Sequence, residues 1–470
     1  MIRRVSRHRP YVVVLACLGL LAAGCSTVGA SPPEVSEPTA VREPTAVSEP
    51  TTTSGNGLVA TTLAVGPDVA AAPLDQPRQV LAPAGWTVDV FARLDTPRLA
   101  AWTPDGTLLI SRPKVGDVVA LTPASGSAAP AQQTPAQRTL ISGLNQPHGL
   151  AFAGSTLYVA QSDRVDAYPY ADGAVSNPRP VVDGLPDAKS PDLQGAYAHA
   201  LKSVAVGADG AVYVSVGSTG NVSVQDRDAD PERATILRVP PGGGAPTVYA
   251  RGVRNGTGLA LDPGGAVWTA VNNRDNIAYP DDRDYDGDGR SDSGEVLPDY
   301  VNDHPLEPLA KLTQGRDLGW PYCNPDPDVD PGVPGSALAY AQRPFDRDLE
   351  TNPDGSKLDC AALAPIEQGM GAHSAPLGLS FADALPEPYG VGALVGIHGS
   401  WNRRPPRPPE VAFFPWRDGR LGDQQTLLGG FQAADGSRWG RPVMAVQGPD
   451  DAVYVTDDLA GAVYRMAPPA

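Results

Sequence analysis

His199-Ala-Leu-Lys-Ser-Val-Ala-Val206, then Gly-Ala-Asp209-Gly210, then Ala-Val212-Tyr213-Val214 is one copy of the phrase that decides the fold. It reads as a basic or imidazole side chain, a short apolar strand, a Pro-Asp-Gly-like turn and a second apolar strand. Five more copies follow the same plan. Pro97-Arg98-Leu99 runs through Pro104-Asp105-Gly106 into Leu108-Leu109-Ile110, and Pro147-His148-Gly149-Leu150 runs through Gly154 into Leu157-Tyr158-Val159. Arg254-Asn255 runs through Gly265 into Val267-Trp268, and His373 runs through Phe381 to Leu394-Val395. Arg441-Pro442-Val443 runs through Pro449-Asp450-Asp451 into Val453-Tyr454-Val455. A hairpin returning about every 50 residues is the signature of a propeller blade. Six copies predict an all-β, six-bladed β-propeller, and a cation or imidazole opening each inner strand predicts a channel mouth suited to a planar anionic ligand.

Third strands follow at Val118-Val119, Val165-Asp166, Ile236-Leu237, Val411-Ala412 and Val463-Tyr464, and outer strands at Arg138-Thr139, Pro180-Val181, Thr247-Val248 and Thr426-Leu427. Alternation and β-branched content support each. The last copy ends at Met466 without an outer strand, while Trp86-Thr-Val-Asp-Val-Phe-Ala-Arg-Leu94 is an outer strand without a blade. The N-terminal strand is therefore expected to complete the C-terminal blade, which closes the ring and leaves no free sheet edge. The blade spanning about 272–372 departs most, carrying a long insert after Val271.

Upstream, residues 1–24 read as an export signal, with Arg3, Arg4, Arg7 and Arg9 before an apolar run too short to span a membrane comfortably. Leu21-Ala-Ala-Gly-Cys25 resembles the bacterial lipobox, so Cys25 is the expected lipidation site and the chain is expected outside the cytoplasm, tethered to the cell envelope. Residues 25–80, rich in Pro, Thr and Ser, are expected to form a disordered tether that cannot bury enough surface to offset its ordering entropy. The propeller then spans 81–468. Loss of the four signal arginines takes the formal charge from −17 to −21. An acidic chain without a basic run argues against nucleic acid as partner. Cys323 and Cys360 are the pair left inside the domain, and an even pair in an exported protein favours a disulfide.

Two constellations carry chemistry. Asp284-Tyr-Asp286-Gly-Asp288-Gly-Arg290-Ser-Asp292-Ser-Gly-Glu295 matches the twelve-residue calcium loop, with carboxylates at positions 1, 3, 5, 9 and 12 and the Arg290 carbonyl at 7. Flanking helices are not evident, so a structural ion is expected rather than an EF-hand pair. At the channel, His199 is suited to proton abstraction near neutral pH, Arg254 to gripping carboxylate, and Asn255 to donating and accepting.

These phrases resemble the sugar dehydrogenases that carry pyrroloquinoline quinone, in particular the sorbosone dehydrogenase-like branch of the soluble glucose dehydrogenase group. The resemblance covers about residues 82–466. It rests on His199 before Val204 to Gly217, on Gly252-Val-Arg-Asn255, Gly319-Trp-Pro-Tyr-Cys323, His373-Ser-Ala-Pro-Leu-Gly378, His398-Gly-Ser-Trp-Asn-Arg403 and Trp439-Gly-Arg-Pro-Val443. It implies that His199 takes the proton of a sugar hydroxyl while hydride passes to the quinone. Arg254 and Asn255 match the pair that holds the quinone, Arg441 an arginine on its carboxylates, and Asn402 or Arg403 falls near a family lysine. The backbone carbonyls of Arg274 and Asp275 match the ligands of a cofactor Ca²⁺. A sugar substrate, an external electron acceptor and a membrane held through the lipid anchor are the implied partners. Where the soluble glucose enzymes place an aspartate that orients the histidine, this chain has Ser218, as the sorbosone-like branch does. That departure keeps a second reading open, a non-enzymatic propeller that binds a glycan or a protein.

Overall fold

A computed structural model describes residues 57–124, 134–193 and 195–469. The expectations for the export signal, for Cys25 and for the tether as far as residue 56 lie outside the described residues. Among those described, no helix is long and apolar enough to cross a membrane.

Six antiparallel sheets follow one another along the chain. Blade one is Ala100–Trp102, Leu108–Arg112, Asp117–Thr122 and Ala136–Ser142; blade two is Leu150–Ala153, Thr156–Ala160, Val165–Ala171 and Arg179–Val182. Blade three is Val204–Val206, Val212–Val216, Thr235–Val239 and Thr247–Arg251; blade four is Gly258–Leu261, Val267–Ala270, Glu307–Lys311 and Gln368–Met370. Blade five is Pro376–Leu385, Gly390–Ile397, Glu410–Arg417 and Gln425–Leu428. Blade six is Pro442–Gln447, Val453–Asp457 and Ala462–Ala467, completed by Thr87–Arg93, whose Val88 pairs with Met466 and Thr87 with Ala467. The expected closure by the N-terminal strand is present.

The turns form for local reasons. Asp209 Oδ1 accepts the Ala211 N–H at 3.0 Å, and Asp262 Oδ1 accepts those of Gly264 and Ala266 at 2.8 and 2.9 Å, so each carboxylate caps its own hairpin. The inner strands neighbour one another in a closed ring from blade one to blade six and back. They approach so closely that a Cβ on Gly378 would stand 2.5 Å from Met444 Cβ. Between blades the apolar faces interdigitate. Tyr158, Val165, Val204 and Val212 fill the seam of blades two and three, Phe91, Leu108, Val446 and Tyr454 that of blades six and one, and Trp268, Leu309, Val395 and Phe414 that of blades four and five. Each fully buried side chain of this size contributes about 1.5–3 kcal/mol by leaving water.

Two boundaries differ from the sequence reading. The expected tether at 25–80 does not run to residue 80. Leu58–Thr62 pairs antiparallel with Gln79–Pro83, Leu81 and Gly429 exchange backbone hydrogen bonds, and Leu63, Val69, Leu74 and Val80 are buried beside Trp86, Leu427 and Phe431. The segment has few large apolar residues, but these are covered by blades five and six, so its composition understated its burial. The span 272–372 is also not one insert. It holds blade four's own third and fourth strands and two excursions, one before Glu307 with the short helix Pro298–Asp303, the other after Lys311 with the hairpin Cys323–Pro325/Phe345–Arg347. Cys323 and Cys360 are disulfide-bonded with Cα atoms 5.7 Å apart.

Candidate active site at the channel mouth

His199 stands ahead of the inner strand of blade three, against the end of that blade's second strand. A Cβ on Gly217 would lie 2.6 Å from both His199 Cβ and His199 O, so the bare glycine permits this approach. The imidazole Nδ1 is 2.8 Å from Ser218 Oγ and 3.1 Å from Ser218 O. Ser218 Oγ donates its own proton to Gly220 O at 2.8 Å, so toward the imidazole it accepts. The proton of a neutral His199 therefore sits on Nδ1, and Nε2 carries the lone pair with no hydrogen-bond partner among the described residues. Burial, with the Arg254 charge beside it, pushes His199 from 6.5 down to about 3, so the ring is neutral throughout the physiological range.

Arg254 is buried one blade on. Its Nε and Nη2 donate to Asn221 O and Oδ1 at 3.2 and 3.0 Å, and its Nη1 to Asn272 O at 3.0 Å. Burial lowers it to about 10, which still leaves it charged. Asn255 is also buried; its carbonyl receives the Asn272 N–H at 3.0 Å, and its side-chain amide has no partner among the described residues. Asn221, which the sequence reading missed, is the hub of this corner. Besides holding Arg254, it accepts the Asp275 N–H at 2.8 Å, donates to Asp275 O at 2.9 Å and receives the Trp320 indole N–H at 3.2 Å. Its role depends on the loop after blade three's second strand folding back, which no local pattern announces.

Asp275 Oδ1 lies 2.9 Å from His373 Nδ1, and His373 Nε2 lies 2.6 Å from Val301 O. Burial would lower His373, but that carboxylate and carbonyl outweigh it and hold the imidazole above its ordinary value. Glu307, also missed, is buried beside this pair and accepts the Asn273 N–H at 2.5 Å; burial raises it from 4.5 to about 7. Arg274 turns its side chain away, into ion pairs with Asp348 and Glu350 at 2.5 and 2.7 Å.

A second set gathers Arg98, His398, Arg441 and Asp458. Asp458 accepts from Arg98 at 2.7 Å and lies 2.8 Å from His398 Nε2; burial would raise it, but these two partners hold it far below the usual carboxylate range. Arg441 Nε donates to His398 O at 2.8 Å and Nη2 to Gly399 O at 3.3 Å. Arg403 pairs with Asp303 at 3.0 Å, while neighbouring Trp401 is 73% exposed. The expectation of six channel groups in register needs one correction. His148 is fully buried with Nδ1–H donating to Lys202 O at 3.3 Å, so it belongs to the wall and not to the mouth.

In the acidic loop, the carboxylates of Asp284, Asp286 and Asp292 lie within 4.8 Å of one another. Asp284 accepts the N–H of Gly287 and Gly289, and Asp292 those of Tyr285 and Asp286. Gly289, at position 6, has φ +90°, the left-handed turn the loop requires. Asp288 and Glu295 are exposed and outside this group, and the Arg290 N–H is held by Asp288.

With this arrangement in view, residues 80–467 match the TrAA12-like family model. The chain belongs to the TrAA12-like family. This TrAA12-like chain superposes on the holo pyranose dehydrogenase PQQ domain of Coprinopsis cinerea with TM-score 0.65 and 20% identity, covering 83% of this chain and 97% of that one. The calcium structure of the Trichoderma reesei family AA12 enzyme gives TM-score 0.66 and 20% identity, over 82% and 96%. The apo aldose sugar dehydrogenase of Escherichia coli gives 0.52 and 14%, over 82% and 99%. At these identities the likeness is one of fold. An uncharacterized protein of Borreliella burgdorferi is 26% identical over 260 residues, 54% of this TrAA12-like chain and 56% of its own length.

Proposed function

We propose that the chain is a dehydrogenase of a sugar, an aldose or a sorbosone-like aldehyde, working with pyrroloquinoline quinone and Ca²⁺ and passing electrons to an external acceptor. The observation that carries the reading is the state of His199: neutral, with its proton fixed on Nδ1 by Ser218 and its Nε2 lone pair unengaged. The residues present suit a flat, polyanionic cofactor. Arg254 uses three of its five N–H donors on protein acceptors and Arg441 two, and the Asn255 amide is unengaged. Arg254, Asn255 and Arg441 would hold the quinone, with Arg403 at the rim. The Arg274 carbonyl, and the lone pair that Asn221 leaves on the Asp275 carbonyl, would face the cofactor calcium. A bound quinone would supply the acceptor for the hydride leaving the carbinol carbon of an aldose or of a hydrated aldehyde.

His199 Nε2 then takes the hydroxyl proton as that hydride departs, and Arg254 disfavours a permanent charge on the ring, so the base is regenerated readily. Ser218 performs the orienting that an aspartate performs elsewhere, without raising the basicity as a carboxylate would. Trp401 offers an exposed apolar face at the rim. The Asp284 loop would hold a structural Ca²⁺, and Cys25 a lipid that keeps the chain at the outside of the cell envelope. The enzyme reading predicts that the full chain, loaded with quinone and Ca²⁺, reduces an artificial dye with at least one member of a panel of aldoses and sorbosone. Tight glycan binding with no dye reduction across the panel would instead support the binding propeller.

A further inference from the structure

Away from the channel, His304, Asp326, Asp328 and Asp346 come together from three pieces of chain. His304 follows the helix Pro298–Asp303, Asp326 and Asp328 follow the strand Cys323–Pro325, and Asp346 lies in the partner strand Phe345–Arg347. His304 is 2% exposed, Asp326 4% and Asp328 3%. His304 Nδ1 lies 2.8 Å from Tyr300 O, and a carbonyl can only accept, so Nδ1 carries the proton. A neutral ring then directs the Nε2 lone pair at two carboxylates, Asp326 Oδ1 and Asp328 Oδ1, each 3.4 Å away. Lone pair against carboxylate is repulsive unless a proton or a metal ion stands between them, and a proton on Nε2 would meet neither carboxylate in hydrogen-bond geometry. Nε2 and Asp326 Oδ2 are both buried without a hydrogen-bond partner. The nearby arginine Arg343 donates to the backbone carbonyls of Asp326 and Asp328, not to their carboxylates. A cavity of about 10 Å³ lies against His304, Asn324, Asp326, Asp346 and Arg347, room for about one water-sized sphere.

We propose that His304, Asp326 and Asp328 bind a small divalent transition-metal ion of the zinc or manganese type, beside the cavity that Asp346 lines. The spacing fits. Two donors about 2.1 Å from one ion at the tetrahedral angle stand about 3.4 Å apart. The Nδ1–H to backbone carbonyl bond is the arrangement that fixes a metal-bound imidazole in its tautomer. Calcium is a poor match, because it calls for about six to eight oxygens at longer range and gains little from imidazole nitrogen. The ion would join the end of the short helix to the disulfide-bearing hairpin. That helix also reaches the channel mouth, since Val301 O meets His373 and Asp303 meets Arg403. The site is thus a structural clamp behind the candidate active site, and it stands whether or not the chain is a dehydrogenase.

The test is metal analysis of the full chain after removal of loosely held ions, followed by titration of the chelator-stripped protein with Zn²⁺, Mn²⁺ and Ca²⁺. One equivalent of Zn²⁺ or Mn²⁺ is expected, bound at least 100-fold more tightly than Ca²⁺ at this site and raising the melting temperature. Asp326→Asn with Asp328→Asn should abolish that equivalent, while Asp284→Asn in the acidic loop should retain it. Should the double variant not fold, X-ray absorption on the loaded native chain gives the answer, with one nitrogen and otherwise oxygen neighbours expected. No transition metal bound, a stoichiometry unchanged by the double variant, or an oxygen-only shell would overturn the assignment, leaving a buried imidazolium between carboxylates.

Discussion

At the scale of single residues, chemistry turns on how His199 is held. An imidazole whose folded pKa is about 3 is unprotonated and able to accept a proton above that pH, and this capacity is lost only as pH falls through that value. The profile of kcat/KM against pH should therefore show no His199 limb between pH 5 and 7. Ser218→Asp places a carboxylate on Nδ1, favours the protonated ring and should move the acid limb up toward neutral pH; an unmoved limb would contradict the proposed contact. Ser218→Ala should lower kcat by about 10-fold or more with little change in quinone affinity, since an orienting group acts through the base. His199 and Arg254 were legible in the sequence because the repeat places each where an inner strand begins. Ser218 was visible only as a departure, and its compensating geometry was not, because the Gly220 carbonyl that takes its proton and leaves its oxygen to accept lies in an irregular loop. Asn221 and Glu307 escaped for the same reason, as their partners are 54 and 34 residues away in the chain.

At the scale of elements, the hairpins were legible because each couples alternating apolar residues to a turn whose Asp or Gly has a mechanism. The Leu58–Thr62/Gln79–Pro83 hairpin was not, because its burial is supplied by blades five and six. A chain beginning at residue 84 should therefore melt well below one beginning at residue 57; equal melting temperatures would mean that this hairpin stabilises nothing. Blade four's outer pair escaped because the excursion after Lys311 separates Glu307–Lys311 from Gln368–Met370. The Cys323–Cys360 bridge lies in that excursion, and Cys323→Ser with Cys360→Ser should cost about 2–4 kcal/mol in denaturant unfolding under oxidising conditions. Gly396→Ala, whose Cβ would press into Val443 O, should cost about 1–3 kcal/mol by forcing blades five and six apart. Gly57→Ala, with open space around it, measures the strain of a positive φ alone.

At the scale of the whole molecule, ring closure was the most legible feature, since a last repeat lacking its outer strand and a first strand lacking a blade admit one economical pairing. Closure brings the ends of six inner strands to one rim, and there the residues divide into a corner around His199 and Arg254 and a second around Asp458 and Arg441. The repeat suggested six equal groups, but it could not show that His148 would be enclosed by Lys202 and its neighbours. Anchoring is a prediction at this scale as well: lipid labelling in a bacterial host should mark the native chain and not Cys25→Ser, and equal labelling of both would remove Cys25 as the anchor. Proton transfer at His199 joins the fold to the chemistry. Its most direct test is to load the full chain and its His199→Ala variant with pyrroloquinoline quinone and Ca²⁺, then follow the quinone absorbance anaerobically after adding the best sugar of the panel. Both proteins should bind the quinone, and sugar should reduce it in the native chain at least 100-fold faster than in the variant. Equal reduction rates, or a native chain that binds quinone without any sugar reducing it, would rule out His199 as the base.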